Sequence, residues 1–238
     1  MMMTFTHGLM FLTVLAAAAT TFAAEDGDRT VDFHEGEWDR SAWTPIRLVE
    51  HDQTATFVQR PDSVGNDSFT AEQIAGKFDN ILLMTDSGQT AGQIELTFTI
   101  GPEHGAAPAL FLTPEVEDGV LRSALTVFVA DYTMAIWWAR ADPQTGKTTY
   151  THLVRMNRWS QPGEKHVLRC RVQPHGDRGV NVALQLDDSD VVVLYQRDMP
   201  RAFNSRVGIW GCHGTCDFYQ IHFLREGNLP WSAKPPTD

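Results

Sequence analysis

What this chain has too little of narrows its function before any motif is read. Lysine and arginine are scarce: 19 stand against 30 aspartates and glutamates, a formal net charge of −11. Binding to nucleic-acid phosphates needs clustered cationic side chains, so this balance argues against a nucleic-acid partner and equally against anionic membrane surfaces. An uncharged partner such as a glycan meets no such penalty. Long apolar runs are missing after residue 24, so no later segment reads as a membrane span. Several catalytic signatures are missing too. There is no phosphate-cradling glycine loop, no serine nucleophile elbow, no zinc pattern, and no His-x-His or His-x-x-x-His pair.

What is present begins with a leader. Leu9 to Ala19 is apolar and alanine-rich, with small residues at Thr21 and Ala23. That is the h-region and cleavage site of a secretory signal peptide. About a dozen apolar residues fall short of the roughly 20 that a membrane-spanning helix needs. Residues 1–24 are therefore expected to be removed on export, leaving a secreted or periplasmic protein with no membrane partner. Residues 25–225 suit one domain large enough to bury its own core. The segment 226–238, with Gly227 and three prolines, reads as an irregular surface tail.

The periodicity within that domain is that of β-structure. Gln93–Ile100 alternates Ile94, Leu96, Phe98 and Ile100 on one face with Gln93, Glu95, Thr97 and Thr99 on the other, the pattern of a half-buried antiparallel strand. Further strands are expected over 80–84, 109–112, 125–130, 134–140, 149–156, 164–172, 180–186 and 191–195, and a helical turn over Thr70–Ala75. Turn-forming residues fill the gaps: Pro143-Gln144-Thr145-Gly146, Gln161-Pro162-Gly163, Pro174-His175-Gly176-Asp177 and Asp187-Asp188-Ser189-Asp190. Arg206–Gly211 and Asp217–Phe223, joined by a short glycine-containing turn, read as a closing hairpin. Asn66-Asp67-Ser68 matches a glycosylation acceptor but reads as a loop. Many strands with short links predict an all-β sandwich or jelly roll.

Three cysteines leave one unpaired in an exported chain. Cys212 and Cys216 flank the closing turn. Opposed across a hairpin they fall within reach of a disulfide, about 4.4–6.8 Å between Cα atoms; two thiols, or a metal held with His213, are the alternatives. Cys170, inside a strand, reads as a small buried hydrophobe.

Four landmarks carry a resemblance. They are Gly92–Phe98, Asn157-Arg158-Trp159 through His166–Val172, Val180–Asp187, and Arg206–Gly211 followed by Asp217–Phe223. In this order they resemble the concanavalin A-like lectin/glucanase superfamily, and within it the exported jelly-roll domains grouped as 3-keto-disaccharide hydrolases, or DUF1080-like. The resemblance spans roughly residues 90–224. It implies a concanavalin A-like jelly-roll β-sandwich of two antiparallel sheets and a carbohydrate partner. If the protein is an enzyme, it implies hydrolysis of a glycosidic bond. Departures stand beside it: Arg206 replaces a glycine, Tyr219-Gln220 replaces a pair ending in Asn, and no Gly-rich strand lies between Leu112 and Trp138.

The candidate chemistry is mostly aromatic. Retaining glucanases of this fold carry Glu-x-Asp-x-x-Glu on one strand, which brings two carboxylates to about 5–5.5 Å; this chain has no such run. Glu115-Val116-Glu117-Asp118-Gly119 reads as a solvated loop before a turn. Tyr132, Trp137, Trp138, Tyr150 and His152 fall on two strands expected to be neighbours. Sugar rings stack on aromatic faces while their hydroxyls seek polar side chains. Trp137 and Trp138 point to opposite faces, so one of them is free to serve as platform. Arg140, Gln185 and Glu95 are the expected polar companions. If catalysis occurs, His152 is the expected acid/base with Glu95 as its carboxylate partner. A glycan-binding module without catalysis and a structural envelope protein making protein contacts are the alternatives. No cofactor is expected. A structural calcium at Asp187, Asp188 and Asp190 is a further candidate, since hard cations seek clustered oxygens.

Overall fold

The computed structural model describes residues 28–47, 57–66, 80–84, 92–142, 144–145, 148–175, 179–197, 206–212 and 214–225. Two antiparallel sheets face one another across a shared core. One sheet has eight strands among these residues: β1 (Arg29–Asp32), β3 (Phe57–Gln59), β4 (Val64–Asn66), β6 (Gln93–Ile100), β11 (Lys165–His175), β12 (Gly179–Leu186), β13 (Val192–Arg197) and β15 (Cys216–Leu224). The other has seven: β2 (Trp43–Arg47), β5 (Asn80–Met84), β7 (Ala107–Glu117), β8 (Val120–Ala130), β9 (Thr133–Ala141), β10 (Thr148–Asn157) and β14 (Val207–Cys212). The leader, the tail, the Thr70–Ala75 segment and His213 lie outside the described residues.

Period-two patterning explains which faces meet. In β6, Ile94, Leu96, Phe98 and Ile100 enter the core. They pack with Val180, Val182 and Leu184 of β12, and with Leu125 and Val127 of β8 across the sandwich. Each such side chain removed from water contributes about 1.5–3 kcal/mol. Strand β15 breaks the alternation once. A bulge at Tyr219 shifts the phase, so that Cys216 and Phe218, then Ile221 and Phe223, all face inward.

The hairpins follow from turn chemistry. Glu117 pairs with Val120, leaving Asp118 and Gly119 as a two-residue turn with φ of 52° and 74°, the left-handed pair that Asp-Gly favours. Glu115 and Glu117 therefore belong to β7 rather than to a loop. Their exposed carboxylates accept from Ser123 Oγ and Arg122 Nε, each at 2.9 Å. The tight turn after β12 carries Asp187, whose carboxylate is already engaged. It accepts the Val167 N–H at 2.8 Å and faces His166 Nδ1 at 2.9 Å, while His166 Nε2 faces the Gln161 carbonyl at 3.0 Å. His166 thus pins β11 to this turn.

The closing segment differs from the expected hairpin. Strand β14 pairs with β5 and β7 in the seven-stranded sheet, whereas β15 pairs with β6, β4 and β1 in the eight-stranded one. The short turn between them carries the chain from one sheet to the other. Cys212 packs on the outer face of its sheet and Cys216 in the sandwich core. The two point to different sides and form no disulfide, so the expected bridge is corrected to two thiols. Burial, with Cys212 and Asp217 nearby, pushes the Cys216 thiol well above its ordinary range; burial does the same to Cys170. Thiols so raised are poor nucleophiles.

Candidate functional site

The seven-stranded sheet carries a second apolar layer on its outer face, and its composition is uneven. Ala107 and Ala109 of β7, Ala124 and Ala130 of β8, and Ala139 of β9 are buried there among Phe111, Phe128, Tyr150 and Trp210. Where Ala107 and Ala130, with Ala135 of β9, form its floor, this layer stays low and larger rings rise around it. The outcome is an open groove of about 350 Å³ along β8, β9 and β10, within the size range of small-molecule sites.

The aromatic wall is continuous across four strands. Trp210 meets Phe128 at 5.7 Å between ring centroids, and Phe128 meets Trp137 at 5.8 Å, both edge-on. Trp137 in turn lies 4.0 Å from the His152 ring and 6.1 Å from Tyr150. The register makes this unavoidable, since His152 is the direct cross-strand partner of Trp137. At the far end Tyr132, 40% exposed, stacks on His104 with centroids 5.4 Å apart. His104 Nδ1 lies 3.0 Å from Asp131 Oδ2.

One irregularity adds a charge to this face. The β9–β10 pairing slips between His152 and Val154, so Leu153 is an extra residue and Arg155 pairs with Ala135. Without that bulge, strict alternation would place Arg155 on the sandwich side. With it, His152 and Arg155 both line the groove. No Asp or Glu lines it among the described residues, nor do three His, Cys, Asp or Glu side chains gather as a metal-ligand set.

The expected site residues divide sharply. Trp137, Tyr150 and His152 come together in the groove, with Tyr132 at its end. Trp138 turns inward and packs against the sandwich core, with the Arg140 guanidinium 4.1 Å over its ring. Trp137 is thus the outward member of the pair. Glu95 and Gln185 lie on the other sheet, on β6 and β12. Glu95 is held by Arg169 Nε at 3.4 Å and by Gln93 Nε2 at 2.8 Å, and Gln185 donates to the Ser189 carbonyl at 2.9 Å. The inward neighbours of Glu95 are Ile94 and Leu96, so its side chain projects from the face opposite the groove. The expected His152–Glu95 pair is therefore not formed: the whole sandwich separates the two. Arg155, Phe128 and Trp210 are groove residues that the spacing alone did not single out.

The groove's end is anchored by the chain crossing between sheets. Thr215 donates to Glu103 Oε2 from its amide at 3.1 Å and its hydroxyl at 2.9 Å, while Gly101 N–H donates to the Thr215 carbonyl at 2.7 Å. Burial pushes the Glu103 carboxyl up, but its own backbone N–H and the two Thr215 donors outweigh this. It therefore rests below its ordinary value of 4.5. A carboxyl lowered by folding stabilises the fold above its unfolded pKa and loses that contribution as pH falls through the folded one. Glu103→Ala is expected to cost about 1 kcal/mol at pH 7. Urea midpoints taken at pH 7 and pH 3 should show the gap to wild type closing at the lower pH.

No protein-family model and no curated protein matches the chain. Solved structures do. A Bacillus licheniformis β-glucanase superposes with a TM-score of 0.58 at 8% identity, over 83% of this chain and 98% of that one. A Crh5 transglycosylase gives 0.52 at 11%, over 86% and 87%. The CBM2 module of the evolved Dit of Lactobacillus casei BL23 phage J-1 gives 0.51 at 10%, over 85% and 99%. At these identities the likeness is one of fold: the chain is a jelly-roll β-sandwich of two antiparallel sheets.

Proposed function

We propose that this protein is an exported carbohydrate-binding module whose binding site is the aromatic groove on the outer face of the seven-stranded sheet. The observation that carries the proposal is the groove's lining: Trp137, His152, Tyr150 and Tyr132 over an alanine floor, with no carboxylate among the described residues. Flat apolar faces with a few polar groups are what a pyranose ring requires. Export is supported by the leader at 9–24. Carbohydrate is supported further by the fold, which the glucanase, the transglycosylase and the carbohydrate-binding module share.

Binding is favoured over hydrolysis on chemical grounds. Glycoside hydrolysis ordinarily takes two carboxyl groups flanking the scissile bond. His152 alone supplies neither the nucleophile nor a carboxylate partner, and hydrolysis of the 3-keto-disaccharide type draws only on the resemblance. The test is a glycan array probed with wild type, Trp137→Ala and Trp138→Ala, each checked by thermal melting. Trp137→Ala is expected to weaken binding roughly 30-fold, the usual cost of losing a tryptophan anchor. Trp138→Ala should melt earlier yet bind with near wild-type affinity once folded. Binding that survives Trp137→Ala would move the site elsewhere, and turnover of a bound glycan by wild type would reinstate the hydrolase.

A further inference from the structure

Resting on the carbohydrate-binding proposal, the geometry points to an acidic glycan as the ligand, with a ring carboxylate held by Arg155. The charge of the groove is opposite in sign to that of the chain. The protein carries a net −11, yet the ionisable side chains lining the groove are Arg155, His152, two tyrosines and the Cys212 thiol, with no Asp or Glu among the described residues. A groove built for a neutral sugar has no need to exclude carboxylates so thoroughly from such an acidic chain.

The placement of Arg155 is equally specific. It faces the groove only because of the bulge at Leu153, and it makes no ion pair among the described residues. Its recorded partner is the Tyr132 ring, 6.0 Å from the guanidinium carbon. Asp131, beside Tyr132 in the turn between β8 and β9, directs Oδ2 to His104 instead, at 3.0 Å. The guanidinium fork is therefore open for the planar, bidentate contact that arginine makes with carboxylates.

The spacing fits one sugar ring. Trp137 and Ala135 are the cross-strand partners of His152 and Arg155, so the stacking platform and the cation stand two ladder positions apart, about 7 Å along the strand. A pyranose ring seated on Trp137 places a C5 carboxylate toward Arg155, whereas the hydroxymethyl group of a neutral hexose would leave that cation without a counter-charge.

The experiment is calorimetric titration of wild type, Arg155→Met and Arg155→Lys. The probes are oligomers of galacturonate, glucuronate and mannuronate, each beside its neutral hexose counterpart. Wild type is expected to bind one uronate series at least about tenfold more tightly than its neutral counterpart. Arg155→Met should remove that preference by bringing uronate affinity down to or below that for the neutral counterpart, and Arg155→Lys should restore part of it. Arg155 is exposed, so the variants should melt as wild type does. Equal affinity for charged and neutral sugars, still dependent on Trp137, would overturn the acidic ligand and leave the carbohydrate proposal standing. Failure of every sugar to bind would overturn both.

Discussion

Replacing Ala135 by phenylalanine is expected to lower glycan affinity on the order of 100-fold or more while moving the melting temperature by only a few degrees. Truncating a wall of the groove removes a contact, whereas filling its floor removes the space itself. Ala135 is 4% exposed and lies between Phe128 on β8 and Arg155 on β10 as their cross-strand partner. A benzyl group there rises into a groove of about 350 Å³, where the ligand ring would otherwise lie. Overpacking a closed core costs about 1–3 kcal/mol, but this floor opens to solvent, so the new ring has room and the stability cost should fall at the low end. The matched control is Thr99→Phe on β6, which adds similar bulk to the outer face of the opposite sheet. Titration with the best glycan should separate the two variants. Binding retained by Ala135→Phe would mean that the groove is not the site.

Much of this architecture was legible because its signals are local. The alternation in Gln93–Ile100 and the opposition of Trp137 to Trp138 each depend on a few adjacent residues, and each appears as expected. What was not legible depends on partners distant in sequence. Gly214 and Thr215 have hairpin chemistry, yet that turn crosses between sheets, because β14 and β15 find better partners in β7 and β6. The His152–Glu95 pairing failed for the same reason, since nothing local assigns strands to sheets. Bulges at Leu153 and Tyr219 shift the side-chain phase with no mark in composition. The first of them alone decides that Arg155 joins the groove.

The crossing also sets the largest expected stability effect. Asn66, read from sequence as a loop residue, ends β4 fully buried. Its Nδ2 donates to the Gly214 carbonyl at 2.6 Å, and its Oδ1 accepts the Cys216 N–H at 2.9 Å. One side chain thus satisfies both a carbonyl of the crossing turn and the first N–H of β15. Asn66→Ala would strand both, at about 1–3 kcal/mol each. A total near 3 kcal/mol corresponds to a fall of about 6–12 °C in Tm, whereas Asn157→Ala on the exposed end of β10 should stay within about 0.5 kcal/mol. Gly211 supplies the internal check. A Cβ there would sit 2.1 Å from Asn66 Oδ1 and 3.0 Å from the Cys216 Cβ, so Gly211→Ala must displace the amide and break the same two bonds. The two substitutions should therefore be strongly non-additive, with Gly211→Ala costing far less once Asn66 is already alanine. Denaturant unfolding of both single variants and the double variant measures this coupling. Additive costs would show that Gly211 and Asn66 act independently and that the amide does not hold the crossing.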